Sequence, residues 1–398
     1  MTQAPSAPRL PVERTNPFDP PSRIGELRET EPISRLAFPD GHVGWLVTSY
    51  ALIRRILADQ RFSSRQELRH FPLEHPMARE PQPPAAPGMF IRMDGEDHSH
   101  YRRLLTGQFT VRRMKALEPR VQEFIDGCLD ALEAAGPGAD LVEHFALPIP
   151  SLVICELLGV PYAERGRFQQ NSKLLMRLDS GGADVWAAVA AMREFLGELV
   201  TAKKAEPTDD ILGGLCATGE LSDEELVNMG FLLLVAGHET TANMLGLGTF
   251  ALLTHPEELA KFKADPGLVD GAVEELLRWL SIIQYGATRA ALEDVDLDGV
   301  RISEGECLVL SVQGANRDPE RFADADSLDV SRSAQGHLSF GHGVHQCLGQ
   351  QLARVEMRLG YSSLFRRFPG LRLAVPPAEV PTRTDMVIYG VHELPVEW

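Results

Sequence analysis

One long helical segment constrains this chain more than any other feature. The pattern opens with Ser222 and Glu225, whose spacing lets their side chains bond the free backbone N–H groups at a helix start. Apolar residues then continue to Pro256, which ends the helix and suits the first turn of the next one. About 33 residues at about 1.5 Å each give a helix of roughly 50 Å. A helix of that length crosses the whole molecule, so we predict that it lies at the centre of the fold.

The patterns around this helix predict a mainly α protein with small β-sheets. Helical periodicity dominates from about residue 98 to about residue 280. Earlier in the chain, Val43–Val47 is typical of a short strand, and residues 51–57 are typical of a helix. Residues 286–312 alternate between polar and apolar side chains around Gly and Asp turns, which indicates short antiparallel strands, and the last 30 residues are similar.

Proline-rich stretches mark the remaining parts of the chain. Residues 60–93 carry many prolines and predict a long ordered loop; loops of that length in a compact protein are usually functional or disordered. Residues 1–25 read as a Pro-rich, weakly ordered lead-in. We therefore expect a single domain over residues 26–398.

Charge, hydropathy and cysteine spacing exclude several classes of protein. The net charge of −17 argues against binding to nucleic acid or to an anionic membrane surface. No stretch approaches the roughly 18 apolar residues of a membrane span, and the N-terminus has no secretory signal. The five cysteines are widely spaced without a C-x-x-C pair, which argues against a disulfide framework and a structural zinc site. We expect a soluble, cytoplasmic monomer.

The segment 340–349 (FGHGVHQCLG) has the properties of a loop that presents a thiolate to a metal. Gly341 and Gly343 allow a tight turn. Cys347 lies at the start of a helix predicted over residues 348–366, where the helix dipole and free N–H groups lower a thiol pKa. Gly349 leaves room for a flat macrocycle beside the sulfur, and Phe340 can shield the sulfur from water.

This segment resembles the haem-binding loop of the cytochrome P450 family, F-G-x-G-x-H-x-C-x-G, and Ala353 and Glu356 continue the match. The resemblance implies a helical bundle around haem b with small β-sheets. It also implies that Cys347 is the axial iron ligand and that His345 contacts a haem propionate. A buried cysteine in a Gly-rich turn would explain Cys347 alone, but it does not explain the whole string.

The central helix contains a second motif, A-G-H-E-T-T over residues 236–241. Thr240 follows Ala236 by four residues, so its hydroxyl can bond the Ala236 carbonyl, and Gly237 leaves a notch there. The family has A-G-x-[D/E]-T-T over the distal haem face, which implies that Glu239 and Thr240 deliver protons during dioxygen activation. A polar kink in a buried helix is the structural alternative. His238 does not belong to an H-E-x-x-H zinc motif, since residue 242 is alanine, and we place it on the far face of the helix.

Further matches concern the fold and the haem carboxylates. Glu275 and Arg278 match the family's E-x-x-R, a buried structural network for which Arg332 is our candidate third partner; Arg321, in a Pro-Glu-Arg-Phe string, lies too early for that role. The haem carboxylate contacts that the resemblance implies, for which solvated surface side chains are the alternative, are His98, Arg102 and Arg289.

The resemblance also implies an activity and its partners. We expect a haem-thiolate monooxygenase that hydroxylates or epoxidises a largely apolar small molecule, for example a macrolide or another secondary metabolite, with O₂ and with electrons from a ferredoxin and its reductase. We expect these residues to wall the substrate pocket: Phe90, Leu175, Leu234, Val235, Gly237, Ile282, Ile283 and Ile388. We expect these residues to form a basic ferredoxin-docking patch: Arg102, Arg103, Arg112, Arg113, Lys115, Arg354 and Arg358.

Two departures from the family and three alternative functions stay open. Residues 281–284 (SIIQ) stand where the family often has proline, and His100 stands where bacterial relatives commonly have arginine, which weakens any transfer of substrate identity. A haem peroxygenase would not need the Glu239–Thr240 pair. A non-catalytic relative that assists a partner enzyme need not keep Cys347, and a haem sensor does not require proton delivery.

Overall fold

The computed structural model describes residues 7–74 and 81–398. Within them the α-helices are α1 (Ser22–Thr30), α2 (Tyr50–Ala58), α3 (Gly95–Thr106), α4 (Val111–Ala135), α5 (Pro148–Leu158), α6 (Arg165–Met176), α7 (Gly182–Ala205), α8 (Ile211–Thr218), α9 (Asp223–Thr254), α10 (Pro256–Ala264), α11 (Val269–Leu280), α12 (Val312–Asn316) and α13 (Gln350–Arg367). The strands are β1 (Ile33–Ala37), β2 (Val43–Val47), β3 (Phe62–Ser63), β4 (Ala139–Asp140), β5 (Ala287–Ala291), β6 (Val295–Leu297), β7 (Val300–Ile302), β8 (Cys307–Leu310), β9 (Arg372–Leu373) and β10 (Pro395–Glu397). The predicted mainly α class with small sheets is confirmed.

The long helix α9 is the centre of the molecule, as predicted. Its first turn is capped by Ser222, whose hydroxyl accepts from the Glu225 N–H while the Glu225 carboxylate accepts from the Ser222 N–H at 2.7 Å. Helices α5, α7 and α13 pack around it, and α4 packs on α13. Most α9 side chains are buried, so its position follows from burial of apolar surface on nearly every face.

The sheets lie at the sides of the helical core. The largest has five strands in the order β1-β2-β8-β5-β3, in which β2 and β8 run parallel and the other neighbours run antiparallel. A three-stranded sheet, β4-β10-β9, and the hairpin β6-β7 complete the β structure of the described residues. The strands predicted at 43–47 and within 286–312 are present. Gly44 allows β2 and β8 to approach closely, because a Cβ there would lie 2.1 Å from the Cys307 carbonyl oxygen.

The described residues of the Pro-rich stretch at 60–93 are mostly loop, with the short strand β3 and two 3₁₀ turns. Residues 75–80, including Met77, lie outside the described residues. The loop is tied to α9, because the Asn228 side chain donates to the Pro87 carbonyl at 2.8 Å. A Cβ on Gly88 would lie 2.5 Å from the Glu225 carbonyl oxygen, so the loop meets the start of α9 closely at a glycine.

The N-terminal segment packs against the domain from residue 7 onward. Residues 1–6 of the expected lead-in lie outside the described residues. Leu10 is buried, and the Phe18 ring contacts Phe250 at 4.9 Å and Trp279 at 5.4 Å between centroids. Helix α1 then begins at Ser22. Among the described residues, no helix is long and apolar enough to span a membrane.

Candidate active site

The loop around Cys347 has the tight turn that its glycines predict. Gly341 and Gly343 have φ values of 70° and 74°, which favour glycine, and a Cβ on Gly343 would lie 2.4 Å from the Leu57 carbonyl oxygen. The Cys347 N–H donates to the Phe340 carbonyl at 2.8 Å and closes the turn. Helix α13 begins at Gln350, two residues later than expected, with Gly349 as its N-cap.

Cys347 combines solvent exposure with many surrounding protein atoms, which indicates a recess in the surface. The residue is exposed, yet protein atoms surround it on most sides, and burial raises the pKa of the thiol. The N–H groups of Gly349 and Gln350 and the charges of Arg102 and Arg354 act in the opposite direction. The expected pKa-lowering effect of the helix start is therefore present, but the net direction we expected was wrong, because loss of hydration around a thiolate is the larger effect.

The middle of α9 borders the same kind of recess. Ala236 is exposed although this helix is buried over most of its length. The Thr240 hydroxyl donates to the Ala236 carbonyl at 3.0 Å, as its spacing predicts. Gly237 differs from our expectation of a pocket residue, because a Cβ there would lie 2.8 Å from Cδ1 of Ile154. The glycine therefore lets α5 pack closely on α9, and Ile154 fills the expected notch.

Glu239 is turned away from the exposed strip of Ala236 and Thr240. Its side chain is 4% exposed, and its Oε2 lies 3.2 Å from Nη2 of Arg383. Nδ2 of Asn243 donates to the Glu239 carbonyl at 2.7 Å and lies 3.3 Å from Oε2. We expected a groove that is lined by a hydroxyl and lies beside an accessible carboxylate. The Thr240 hydroxyl is accessible, but the Glu239 carboxylate is held in a buried ion pair.

The residues expected to bind haem carboxylates form one cationic cluster. The rings of His98 and His345 lie 4.1 Å apart, and Arg102 donates to the Gln346 carbonyl at 2.5 Å. Burial, followed by the charges of His345 and Arg102, lowers the pKa of His98 to about 4. The buried Arg289 donates to the Thr288 carbonyl at 2.9 Å, and burial lowers its pKa to about 10.

This cluster is short of negative charge. Nε2 of His98 and Nε2 of His345 are buried without a hydrogen-bond partner. Nε2 of His345 lies 3.4 Å from Asp94, but the two groups are too poorly aligned for a hydrogen bond. Burial alone would raise the pKa of Asp94, but the adjacent His345 imidazole and hydrogen bonds from Ser63 and Ser64 lower it to about 2. Unpaired buried donors next to arginines call for anionic acceptors, and two carboxylates would satisfy them.

Open space borders the Cys347 loop at two of its glycines. A Cβ added to Gly341 or to Gly349 would meet no atom within 4 Å. A haem needs a ligand for its iron, room beside that ligand and hydrogen-bond donors for its carboxylates. The Cys347 thiol, the open space at its loop and the unpaired donors of the cluster fit these needs. Phe340 is partly buried, and the Arg354 guanidinium lies 4.5 Å above its ring.

The structure brings Glu275, Arg278 and Arg332 together as the motif predicts. Nε and Nη2 of Arg278 each donate to the Glu275 carboxylate at 2.7 Å, and Nε of Arg332 donates to it at 3.1 Å. Glu275 and Arg278 are both 0% exposed. Arg321 instead donates to the Gln335 carbonyl and takes no part in this network.

Three of the expected pocket residues lie in two segments that are paired by backbone hydrogen bonds. Ile283 and Ile388 form an isolated β-bridge, and the Tyr389 N–H donates to the Ile282 carbonyl at 2.9 Å. Phe90, Val235, Ile282 and Ile388 are buried in the main apolar core, and Leu175 and Ile283 are partly buried against it. Leu234 is 0% exposed and its carbonyl bonds His238, so it packs in the core and does not line the recess.

The expected basic patch contains two arginines that are already paired. Arg354 donates to Glu274 at 2.6 Å and 2.9 Å, and Arg358 pairs with Glu118. Burial alone would raise the pKa of Glu274, but hydrogen bonds from His337 and Arg354 lower it to about 2. The following cations of the patch are exposed: Arg103, Arg112, Arg113 and Lys115.

Sequence reasoning did not identify Arg383 as the partner of Glu239. The two residues are 144 positions apart, so no local spacing connects them. A weak signal existed, because Arg383 lies five positions before Ile388, which we expected to wall the pocket. His238 lies where we expected it, with Nδ1 2.9 Å from the Leu234 carbonyl and the ring against Phe168.

Comparisons with known proteins agree with this geometry. The sequence profile of the family described as Cytochrome P450 matches residues 267–390. Cytochrome P450 105C1 from Streptomyces sp is 48% identical over 400 residues, which cover 100% of both chains. Pentalenic acid synthase from Streptomyces avermitilis is 48% identical over 398 residues and covers 99% of this chain and 98% of its own. The crystal structure of CYP105P1 in complex with filipin I has a TM-score of 0.93 at 44% identity and 99% coverage of both chains.

Proposed function

The chain belongs to the cytochrome P450 family and is an oxidoreductase of the monooxygenase class, and we propose that it inserts one oxygen atom of O₂ into a largely apolar small molecule by hydroxylation or epoxidation. The family implies a haem-thiolate cofactor, which we propose to be haem b. The observation that carries this proposal is the exposed thiol of Cys347, which protein atoms surround on most sides.

The chain supplies the ligands that such a cofactor needs. Haem, when bound, supplies the iron at which dioxygen is activated. We assign the iron ligand to Cys347 and the contacts to the haem carboxylates to His98, Arg102, Arg289 and His345. The unpartnered Nε2 atoms of the two histidines support that assignment, because a carboxylate would accept from an N–H at either position.

Proton delivery is assigned to Thr240 and Glu239. The Thr240 hydroxyl donates to the Ala236 carbonyl and keeps its lone pairs free to accept from water in the recess. The Glu239 carboxylate can hold a proton at Oε1 or Oε2, and it must turn away from Arg383 to carry that proton toward Thr240. In this account the ion pair with Arg383 is the resting position of the acid.

The substrate is proposed to be an apolar secondary metabolite, for example a macrolide. The apolar side chains of Phe90, Val235, Ile282, Ile283 and Ile388 support an apolar ligand. The names of the two relatives refer to pentalenic acid and to filipin I, which supports a role in the chemistry of such metabolites.

Electrons are proposed to come from a ferredoxin through its reductase. Arg103, Arg112, Arg113 and Lys115 are exposed and support docking of an acidic partner by electrostatic attraction. Arg354 and Arg358 contribute less to such a surface, because acidic side chains of the same chain already pair with them.

An oxygen-isotope experiment tests the proposed function. Haem-loaded protein, a ferredoxin, its reductase and NADPH are incubated under ¹⁸O₂ with a library of apolar metabolites, and each product is analysed by mass spectrometry. We expect one ¹⁸O atom in the product, dependent on the ferredoxin. A product formed with hydrogen peroxide alone, at the same rate as with the full electron-transfer system, would instead identify a peroxygenase.

A further inference from the structure

The Glu239 carboxylate belongs to a small polar cluster inside an otherwise apolar region. Its other members are Arg383, Asn243 and His238, all of them buried. Nη1 of Arg383 donates to Oδ1 of Asn243 at 3.0 Å, and Nη2 of Arg383 lies 3.2 Å from Oε2 of Glu239. Two nitrogens of the cluster, Nε of Arg383 and Nε2 of His238, are buried without a hydrogen-bond partner.

The tautomer of His238 follows from its other nitrogen. Nδ1 lies 2.9 Å from the Leu234 carbonyl, which only accepts, so Nδ1 carries the hydrogen. Burial lowers the pKa of His238, and the charge of Arg383 acts in the same direction, although the charge of Glu239 opposes them. The ring is therefore neutral at physiological pH, and Nε2 presents a lone pair that can accept a hydrogen bond.

The free lone pair of His238 faces the carboxylate across a gap. Nε2 lies 3.7 Å from Oε1 of Glu239, which is too far for a direct hydrogen bond. Two acceptors also cannot bond one another without a donor between them. One water molecule beside this contact would donate to Nε2 and to Oε1, and the unpartnered Nε of Arg383 is a donor of the same cluster that it could accept from.

The form of the ion pair gives independent support. Arginine and carboxylate frequently bond through two parallel hydrogen bonds. Here Nη2 of Arg383 alone contacts Glu239, and the neighbouring Nε is left unpaired. Nδ2 of Asn243 also donates to Oε2 at 3.3 Å, so the carboxylate is held with Oε1 and Nε of Arg383 both available to a further partner.

We propose that His238 is a positioning residue that holds one buried water against Oε1 of Glu239. The water limits the ion pair to one nitrogen of Arg383, so that the Glu239 carboxylate can leave it. This inference rests on the proposed function, in which Glu239 must leave Arg383 to deliver a proton. Without the water, the carboxylate takes both Nε and Nη2 of Arg383 and is trapped in its resting position.

The first experiment examines the wild-type, haem-loaded protein. A crystal structure that resolves ordered waters should contain one within hydrogen-bond distance of Nε2 of His238, Oε1 of Glu239 and Nε of Arg383. The ¹⁵N spectrum of histidine-labelled protein, recorded in the diamagnetic reduced and CO-bound form, should show Nε2 of His238 as a hydrogen-bonded acceptor. A dry site, or an Nε2 resonance of an unbonded nitrogen, overturns the proposal.

The second experiment uses His238→Phe, with His238→Gln as the conservative variant. The phenylalanine removes the acceptor, and its crystal structure should show Glu239 bonded to both nitrogens of Arg383. Loss of one hydrogen bond to a charged group predicts about a ten-fold fall in product formed per NADPH, with substrate affinity unchanged. His238→Gln should recover part of the loss, because its amide oxygen can accept from the water.

A matched control separates positioning from general disturbance of the helix. His255 also has Nδ1 within 2.7 Å of the carbonyl four residues earlier, but it lies at the far end of α9. His255→Phe should leave the product yield unchanged; an equal loss in that variant, or full yield in His238→Phe, contradicts the proposal. If His238→Phe does not fold, the wild-type measurements decide. A wild-type protein without a thiolate-ligated haem spectrum refutes the proposed function, while the crystal structure still tests the water.

Discussion

Replacing Glu275 by alanine should destabilise the fold far more than the same change at an exposed ion pair of equal geometry. Glu275 accepts from Arg278 at 2.7 Å, three residues along the same helix, and both side chains are 0% exposed. Arg23 and Glu26 also lie three residues apart with a separation of 2.7 Å, but each side chain is 58% exposed. The two pairs share spacing and distance and differ in burial.

The magnitude follows from what each substitution leaves behind. Glu275→Ala leaves the buried Arg278 and the nearby Arg332 without their shared carboxylate, and breaking a buried pair from one side costs about 3–5 kcal/mol. Glu26→Ala removes an exposed pair, which is worth roughly 0–1 kcal/mol. At about 2.1 cal/mol/K of unfolding entropy per residue, a chain of 398 residues loses roughly 4–6 °C in Tm for the first change and about 1 °C or less for the second.

Differential scanning calorimetry of the two haem-loaded variants measures this contrast at one scan rate. Glu275→Gln, which keeps the shape of the side chain without its charge, should fall between the wild type and Glu275→Ala. Equal losses in Glu275→Ala and Glu26→Ala would refute the reasoning, because burial would then not decide the strength of the pair.

Three further predictions concern proton delivery, electron transfer and acid stability. Thr240→Val should slow product formation about 10²-fold and divert reducing equivalents to hydrogen peroxide, whereas Thr240→Ser should retain most of the yield. Peroxide and product are quantified together. A Thr240→Val variant that turns all its reducing equivalents into product excludes the assigned role. The double change Arg112→Glu and Arg113→Glu should slow reduction by a ferredoxin about ten-fold at low salt and much less at about 0.5 M salt. Stopped-flow absorbance follows the reduction. Equal rates for the variant and the wild type at low salt argue against this docking surface. Glu274 has a folded-state pKa of about 2 against an ordinary value of 4.5, so it contributes about 3 kcal/mol of stability above pH 4.5 that is lost as the pH falls toward 2. Glu274→Gln should therefore weaken the dependence of the unfolding free energy on pH in that window, as measured by urea titrations at several pH values. An unchanged pH dependence would show that this carboxylate does not cause the loss of stability in acid.

The parts of the fold that sequence patterns predicted are those governed by short spacings. The capping box of Ser222 and Glu225 and the Thr240–Ala236 bond each depend on residues three or four positions apart in one helix. Glu275 and Arg278 also share one helix face, and the family motif supplied the distant Arg332. Local rules and a known motif therefore sufficed for these contacts.

The parts that the sequence did not predict depend on contacts between distant segments and on burial. The notch at Gly237 was filled by Ile154 of another helix, and Glu239 found Arg383, 144 residues away. The thiol pKa of Cys347 was governed by burial, which a helix start alone does not reveal. Each outcome depends on which surfaces meet in three dimensions, and no periodicity along the chain contains that information.

The most direct test of the account is the carbon monoxide difference spectrum of the reduced protein after haem supply. The bond between iron and the sulfur of Cys347 predicts the Soret band of a thiolate-ligated haem in the wild type and its loss in Cys347→Ala. A protein that stays colourless, or a Cys347→Ala variant with an unchanged spectrum, would contradict the central claim.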